Sequence, residues 1–233
     1  RDSVASRGLG DVYKRQGGTS LATHPLEVTF HGRSCHIASL TDSGINALDC
    51  AVELYQKIKE LKKTFPKGAI VGAIFTEAGT APNVVTPKAT IRMTVRGSTV
   101  DDLEGIILPA IKAAAQEIAA SYGAQVEMHH YEPLFKDMRQ DKRLLDLFKA
   151  VMTEFGEVPR ILPDDEADGS TDVGNVSYEV PTAQPTLQIG LGLEAHTPEF
   201  TCAAGSDYGL AQAIKGAKIM AVVALRYALL SDT

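Results

Sequence analysis

The sequence has few of the features that mark secreted or membrane proteins. Its three cysteines, Cys35, Cys50 and Cys202, cannot all pair and show no CxxC spacing, which is typical of a reducing compartment. The most apolar stretch, residues 219–225, is far too short to cross a bilayer and predicts a buried helix. We therefore expect a cytoplasmic protein that has no membrane partner.

The charge balance excludes a further class of partner. Acidic side chains number 29 against 23 basic ones, and no local Lys/Arg cluster reverses the net charge of -6, so nucleic acid is not expected to bind. The opening residues lack both the apolar run of a signal peptide and any helical or strand period. We interpret residues 1–20 as a leader that is non-native or truncated, and expect no regular element in residues 1–18.

Residues 22–132 alternate between strand and helix patterns. Apolar residues alternate over 26–30 and 89–96, an apolar run spans 69–75, and a last strand contains Val126, Met128 and Tyr131. Helical spacing occurs at 45–58, capped by Asp42 or Ser43, and at 103–114, capped by Ser98 or Thr99. This β-α-β-β-α-β order predicts a ferredoxin-like sandwich with both helices on one face of the sheet.

The other face of that sheet is predicted to be open and polar. It carries the residues that alternate with the apolar ones, namely Glu27, Thr29, His31, Arg92, Thr94 and Arg96. Beyond residue 133 the pattern changes to a helix at 144–155, a short buried strand at 185–190 and a long helix at 206–230. We therefore predict an α/β protein with a ferredoxin-like domain at 21–133 and part of a second α/β domain at 134–233.

Three clusters contain residues capable of chemistry, and each has an ordinary structural interpretation. His36 lies on a loop after a strand, where histidines are more often solvated than functional. Asn83 fits a turn, and Arg96 fits a solvated charge at a strand end. The segment 169–175 and His196 flank the predicted buried strand, but one histidine cannot make a zinc site. The sequence has no Gly-x-Ser-x-Gly, phosphate loop or glycine-rich turn, which argues against a serine hydrolase or a nucleotide binder.

Taken in order, these segments resemble the M-twenty family of zinc peptidases and amidohydrolases, of the aminoacylase and carboxypeptidase-G type. Within it they are most similar to the peptidase domain-containing protein 2 and aminobenzoyl-glutamate hydrolase branch. The resemblance covers nearly everything after residue 20, and its motifs are Gly32–Ala38, Gly44–Asp49, Gly169–Ser177 and His196–Glu199. It implies that the ferredoxin-like domain is an inserted lid that mediates dimerisation.

The resemblance also implies roles for individual residues. His36 matches the lid histidine that stabilises the oxyanion, Asn83 a substrate-holding asparagine, and Arg96 the arginine that binds the substrate carboxylate. Gly169, Ser170 and Thr171 would line the carboxylate pocket, and His196 would bind one of two zinc ions. The implied reaction is hydrolysis of a dipeptide or N-acyl amino acid at the amide next to a free carboxylate.

The remaining parts of the family's site precede the lid. Residues 1–20 contain no His-x-Asp or Glu-Glu, so we expect a C-terminal fragment that binds zinc weakly or not at all. The alternative is a non-catalytic dimerisation or small-molecule-binding module. The acidic run at 164–168 favours a cationic substrate side chain, although such loops are usually only solvated.

Overall fold

The computed structural model describes residues 15–38, 43–167 and 169–231, which form two units. The ferredoxin-like unit comprises residues 20–137 and 169–172. The second unit comprises the described parts of 1–19, 138–168 and 173–233. Each unit encloses its own cluster of buried apolar side chains.

Seven strands and seven helices make up the described chain. The strands are β1 (Arg15–Thr19), β2 (Ala22–Thr23), β3 (Leu26–His31), β4 (Ile70–Glu77), β5 (Lys88–Gly97), β6 (Gln125–His129) and β7 (Arg160–Ala167). The helices are α1 (Ala47–Leu61), α2 (Val100–Asp102), α3 (Leu108–Tyr122), α4 (Lys142–Glu154), α5 (Val173–Ser177), α6 (Pro198–Ala204) and α7 (Asp207–Ser231). A π-helical turn, Leu103–Ile107, joins α2 to α3.

The sheet of the ferredoxin-like unit is organised around β5. This strand pairs antiparallel with β4 on one side and with β2 and β3 in a continuous register on the other, and β3 also pairs antiparallel with β6. Inward-facing Leu26, Val28 and Phe30 are fully buried beneath the helices. The predicted ferredoxin-like fold is confirmed, because its strand order and the apolar alternation that drives it are both present.

Helix boundaries in this unit differ in detail from the sequence prediction. Asn46 caps α1 by accepting a hydrogen bond from the Leu48 amide at 3.1 Å, because Ile45 is still held in an extended bridge to Arg33. The prediction that Ser43 caps this helix was therefore wrong. Asp42, the other predicted cap, lies outside the described residues. Thr99 caps α2 as predicted, with its hydroxyl 3.1 Å from the Asp102 amide. The π-helical turn precedes Pro109, which lacks the amide that a regular helix would use there.

Two strand predictions require correction. The expectation of no regular element in residues 1–18 was wrong, because β1 pairs in parallel with β7; residues 1–14 lie outside the described residues. Gly17 and Gly18 give β1 no alternation to detect. No strand spans 185–190 in the described chain, although Leu187 and Ile189 are buried there. Tyr131 lies beyond the end of β6, and its hydroxyl donates to the Met93 carbonyl at 3.2 Å.

The two long helices of the second unit form as predicted and pack on each other. Phe148 and Val151 of α4 share a buried cluster with Ile219 and Val223 of α7. Arg226 of α7 donates two hydrogen bonds, of 2.7 and 2.8 Å, to the Glu154 carboxylate. This pair joins the end of α4 to α7.

The prediction that residues 219–225 form a buried helix was right about the helix but only partly right about burial, because Ile219 and Val223 are buried whereas Met220 and Leu225 are exposed. The exposed apolar residues of α7 are Leu210, Ile214, Met220, Leu225 and Leu229. By length and composition alone, the stretch Asp207–Leu229 could also cross a membrane, but long core helices pass the same test. The exposed side of α7 therefore carries apolar as well as polar residues within the described chain.

A stacked histidine pair joins the segments that enter and leave the main sheet. The rings of His24 and His130 lie 3.4 Å apart, centroid to centroid, with planes 14° apart. His130 donates through Nδ1 to the Pro25 carbonyl at 3.0 Å and accepts at Nε2 from the Lys112 ammonium at 2.9 Å. His24 Nδ1 lies 2.6 Å from a carboxylate oxygen of Glu104. This pattern requires a neutral His130.

The pKa of His130 lies below its ordinary value, first because the ring is partly buried and then because His24 adds like charge. The unfolded chain therefore binds the proton more readily, so the free energy of unfolding is expected to fall as pH drops through about 6.5. His130→Gln is expected to flatten this dependence in urea titrations between pH 5 and pH 8, roughly the histidine range. His129→Gln, at the exposed last position of β6, is the control. An unchanged slope for His130→Gln would contradict this assignment.

Candidate functional site

His36 and Asn83 meet at one end of the sheet. They lie on the loops after β3 and before β5, which form a short antiparallel ladder. The Ile37 amide donates to the Asn83 carbonyl at 3.1 Å, and the Val85 amide donates to the Cys35 carbonyl at 2.9 Å. Both candidate side chains are exposed. The sequence places them 47 positions apart, and the ladder makes them neighbours.

The His36 ring is held in one tautomer. Its Nδ1 lies 3.1 Å from the Ala38 amide, and a backbone N–H can only donate, so Nδ1 accepts this bond. A neutral ring that accepts at Nδ1 carries its proton on Nε2. The exposed Nε2–H is therefore a hydrogen-bond donor, which is the group that an oxyanion requires.

Arg96 lies at the opposite end of the sheet. Its backbone pairs with Ile70 of β4 and with Thr23 of β2, near the C-terminus of β5. The guanidinium is half-buried and makes no ion pair with any residue that the structure describes. A positively charged side chain in such a position is suited to an anionic ligand.

Arg92 provides a direct contrast on the same face of β5. Its guanidinium pairs with Glu27 and stacks 4.6 Å from the ring centre of Tyr131. His129 approaches the same Glu27 carboxylate at 3.3 Å. On the polar face predicted from the sequence, the charge of Arg92 is therefore neutralised by Glu27. The charge of Arg96 is not neutralised by any residue that the structure describes.

The segment Gly169–Thr171 joins the ferredoxin-like unit near Arg96. The Leu21 amide donates to the Gly169 carbonyl at 2.8 Å, two residues before Thr23, the β-partner of Arg96. Gly169 has a φ of 61°, a conformation that favours glycine. Thr171 is buried and Ser170 half-buried. Of the predicted pocket residues, the structure thus brings this segment and Arg96 to the same end.

The two ends are far apart. The Asn83 loop enters β5 at Lys88, and Arg96 follows eight residues later along a paired strand. At about 3.4 Å per residue this stretch of β5 is roughly 27 Å long. The structure therefore does not bring His36 and Asn83 to the Arg96 end of the same chain.

His196 lies in the second unit, on the exposed turn before α6. Its φ of 66° makes it the sole non-glycine residue with positive φ in the described ranges, a strained conformation for a side chain of this kind. No group of three or more His, Cys, Asp or Glu side chains able to hold a metal ion occurs among the described residues. The described residues alone therefore do not form a zinc site.

Sequence reasoning missed two parts of this arrangement. The Ala38 amide that orients His36 belongs to the backbone, so no residue type marks it. The close contact of Gly44 with Cys35 and Val85 is visible only in three dimensions. The acidic run at 164–168 cannot be compared, because the side chains of Asp164 and Asp165 and all of Asp168 lie outside the described residues.

Comparison with known proteins finds relatives that cover most of this chain. Residues 25–123 match the model of the peptidase dimerisation domain. The chain is 28% identical over 208 residues to the Xaa-Arg dipeptidase of Mus musculus, a match that covers 88% of this chain and 48% of that protein. The chain thus spans about half the length of the curated relative it matches.

Solved structures share the fold at lower identity. An amidase of the hydantoinase/carbamoylase family from Burkholderia vietnamiensis aligns with a TM-score of 0.62 at 16% identity, covering 86% of this chain and 49% of that one. An aminobenzoyl-glutamate utilization protein from Klebsiella pneumoniae aligns with a TM-score of 0.60 at 20% identity, covering 72% and 43%. The resemblance stated from the sequence motifs is confirmed.

Proposed function

We propose, from the match of residues 25–123 to the peptidase dimerisation domain, that the protein serves hydrolysis of an amide next to a free carboxylate. The substrate is a dipeptide or an N-acyl amino acid. The observation that carries the proposal is Arg96, which has no acidic partner among the described residues, whereas Arg92 on the same face pairs with Glu27. A planar guanidinium binds a carboxylate through two parallel hydrogen bonds.

The length of β5 bears on which chain completes each site. An extended dipeptide spans about 7 Å, whereas Arg96 lies roughly 27 Å along the strand from Lys88, beyond which the His36 and Asn83 loops begin. One substrate molecule cannot contact both ends of one sheet. If both ends act, each active site takes Arg96 from one chain and His36 with Asn83 from a second chain. The functional unit is then a homodimer.

Each residue has a defined part in this proposal. Arg96 binds the substrate carboxylate, the amides of Gly169, Ser170 and Thr171 line its pocket, and Asn83 holds the substrate through its side-chain amide. His36 donates its Nε2–H to the oxyanion that develops on the scissile carbonyl. The hydrogen bond from the Ala38 amide to Nδ1 fixes the tautomer of the ring, so this donor is oriented before the substrate binds.

Metal dependence is general in this family, and two zinc ions are the proposed cofactors. The described residues supply His196 as the one assigned ligand and contain no group of three or more His, Cys, Asp or Glu side chains that could hold an ion. That observation favours a second candidate function, a non-catalytic dimerisation or small-molecule-binding module. Zinc content measured together with hydrolysis separates the two, because the module binds its ligand without turnover.

The substrate side chain is proposed from a relative's name and from the charge of one segment. The mouse relative is named an Xaa-Arg dipeptidase, and the acidic run at 164–168 would attract a cationic side chain. Dipeptides ending in arginine or lysine are therefore the first substrates to assay. A cytoplasmic location is proposed because Cys35, Cys50 and Cys202 are all unpaired thiols.

Loss of the Arg96 guanidinium is expected to distinguish substrates by their terminal charge. In the metal-loaded, active protein, Arg96→Ala is expected to lower kcat/KM for a dipeptide by about 10- to 100-fold, the usual cost of a charge-assisted hydrogen bond. The same dipeptide with an amidated C-terminus is expected to lose little. Steady-state kinetics on both substrates measures the difference.

Arg92→Ala is the matched control, because it removes an arginine from the same face of the same strand but one that already has a carboxylate partner. It is expected to affect both substrates equally. Equal losses on the two substrates for Arg96→Ala would remove Arg96 from the carboxylate-binding role.

The free edge of β4 supports the proposed dimer. Ile70, Ile74 and Phe75 are exposed along this outer strand, and Ile74 is 63% exposed. Val52 on the outer side of α1 is also exposed, and Phe75 contacts Tyr55 of the same helix with ring centres 5.8 Å apart. An exposed apolar edge strand is a template for pairing with another chain, and a second copy is the proposed partner.

A charge on this edge is expected to weaken the dimer. Ile74→Lys places a second cation beside Arg92, the cross-strand partner of Ile74, and lysine on an edge strand opposes strand pairing. Sedimentation equilibrium is expected to show a dimer for the unmodified protein and a shift to monomer for Ile74→Lys. Ile106→Lys, at an exposed apolar position on the π-helical turn, is the control. Equal association of all three proteins would contradict the β4 interface.

A further inference from the structure

Three short segments converge beneath His36 and Asn83. The first two are the segments that carry His36 and Asn83 and form the short antiparallel ladder. The Gly32 amide extends this ladder by donating to the Pro87 carbonyl at 2.8 Å. The third segment, Ser43–Ile45, is attached to the first by a pair of hydrogen bonds of 2.9 Å between Arg33 and Ile45. The Arg33 guanidinium also donates to the Ser43 carbonyl. The third segment is therefore held against the ladder from both of its ends.

Gly44 lies at the centre of this arrangement. A Cβ atom built on Gly44 would lie 2.5 Å from Cys35 Sγ and 3.2 and 3.3 Å from the two γ-carbons of Val85. The φ of Gly44 is not in the left-handed region, so its backbone would accept alanine. What excludes a side chain is the close approach of Cys35 and Val85, the neighbours of His36 and Val84 in the ladder.

The contact of Gly44 with Cys35 lies close to His36 along the chain. Cys35 precedes His36 directly, and its carbonyl accepts the Val85 amide at 2.9 Å. Two residues beyond His36, the Ala38 amide fixes the ring through Nδ1 at 3.1 Å. A Cβ at Gly44 would have to push away Cys35 Sγ together with both γ-carbons of Val85, which places the strain on the paired segments that hold the ring next to the amide that orients it. A geometric change of about 1 Å at such a donor costs up to about 10²-fold in rate.

We infer that Gly44 is a positioning residue for His36: its bare Cα lets Cys35 and Val85 pack against it, and this packing keeps His36 in the tautomer with the proton on Nε2. The inference rests on the proposed function for the catalytic meaning of that tautomer. The positioning itself is measurable on the protein without turnover.

The direct test is the pair of imidazole nitrogen shifts of His36, read by long-range ¹H–¹⁵N correlation on the ¹⁵N-labelled full chain at a pH where the ring is neutral. The unmodified protein is expected to show an unprotonated Nδ1 and a protonated Nε2. Gly44→Ala is expected to move both shifts toward the mixed tautomers of a free histidine. The double variant Gly44→Ala with Cys35→Ala removes the nearest clashing atom and is expected to restore them.

Gly105→Ala is the matched control, because a Cβ at Gly105 meets nothing within 4 Å. It is expected to leave the His36 shifts unchanged. If Gly44→Ala does not fold, Cys35→Val tests the same contact by enlarging the opposite side, and is expected to disturb the same shifts. Unchanged His36 shifts in whichever of the two variants folds would overturn the inference.

Kinetics in the metal-loaded, active protein separates this inference from the proposed function. Gly44→Ala is expected to lower kcat by about 10- to 100-fold with little change in KM, because Arg96 binds the substrate carboxylate at the other end of the sheet. If His36→Ala impairs turnover while Gly44→Ala leaves shifts and kcat unchanged, this inference fails and the proposed function stands. If His36→Ala turns over normally, the proposed role of His36 fails whatever the shifts show.

Discussion

Backbone pairing along β5 fixes the distance between the two ends of the main sheet. The strand is hydrogen-bonded to β4 on one side and to β2 and β3 on the other, so it can neither bend sharply nor slip in register. A slip of one residue would turn the inward-facing side chains of β5 toward the other face. These side chains are buried, including Ile91, Met93 and Val95. The separation of Arg96 from the His36 loops follows from this rigidity.

The same strand explains why the two ends differ chemically. At its start, loops without regular structure approach each other through a short ladder and present an exposed imidazole donor and an amide. At its end, β2 pairs with the backbone of Arg96 and Gly169 is hydrogen-bonded to Leu21 just before β2, while the Arg96 side chain is half-buried without an acidic partner in the described chain. One end is suited to a developing oxyanion and the other to a carboxylate. The two ends therefore suit two parts of one substrate molecule, but within one chain they do not form a shared pocket.

The sequence predicted most of the ferredoxin-like unit because its strands bury one face, and burial of one face leaves an alternation that can be read directly. It did not predict the pairing of β1 with β7, since Gly17 and Gly18 have no side chains and Pro163 with the acidic run hides a strand pattern. The motifs identified His36, Asn83 and Arg96 singly. Their division between two ends depends on where the loop enters β5, which chain spacing alone does not give.

The claim that the two ends of one sheet serve two active sites is tested most directly by mixing two impaired variants of the metal-loaded, active protein, His36→Ala and Arg96→Ala, each first measured alone. A mixed dimer contains one site with both residues intact, so random subunit exchange is expected to restore about a quarter of the unmodified activity. Exchange itself is monitored with differently tagged subunits. Mixed dimers that form but are no more active than the two variants alone would contradict the claim.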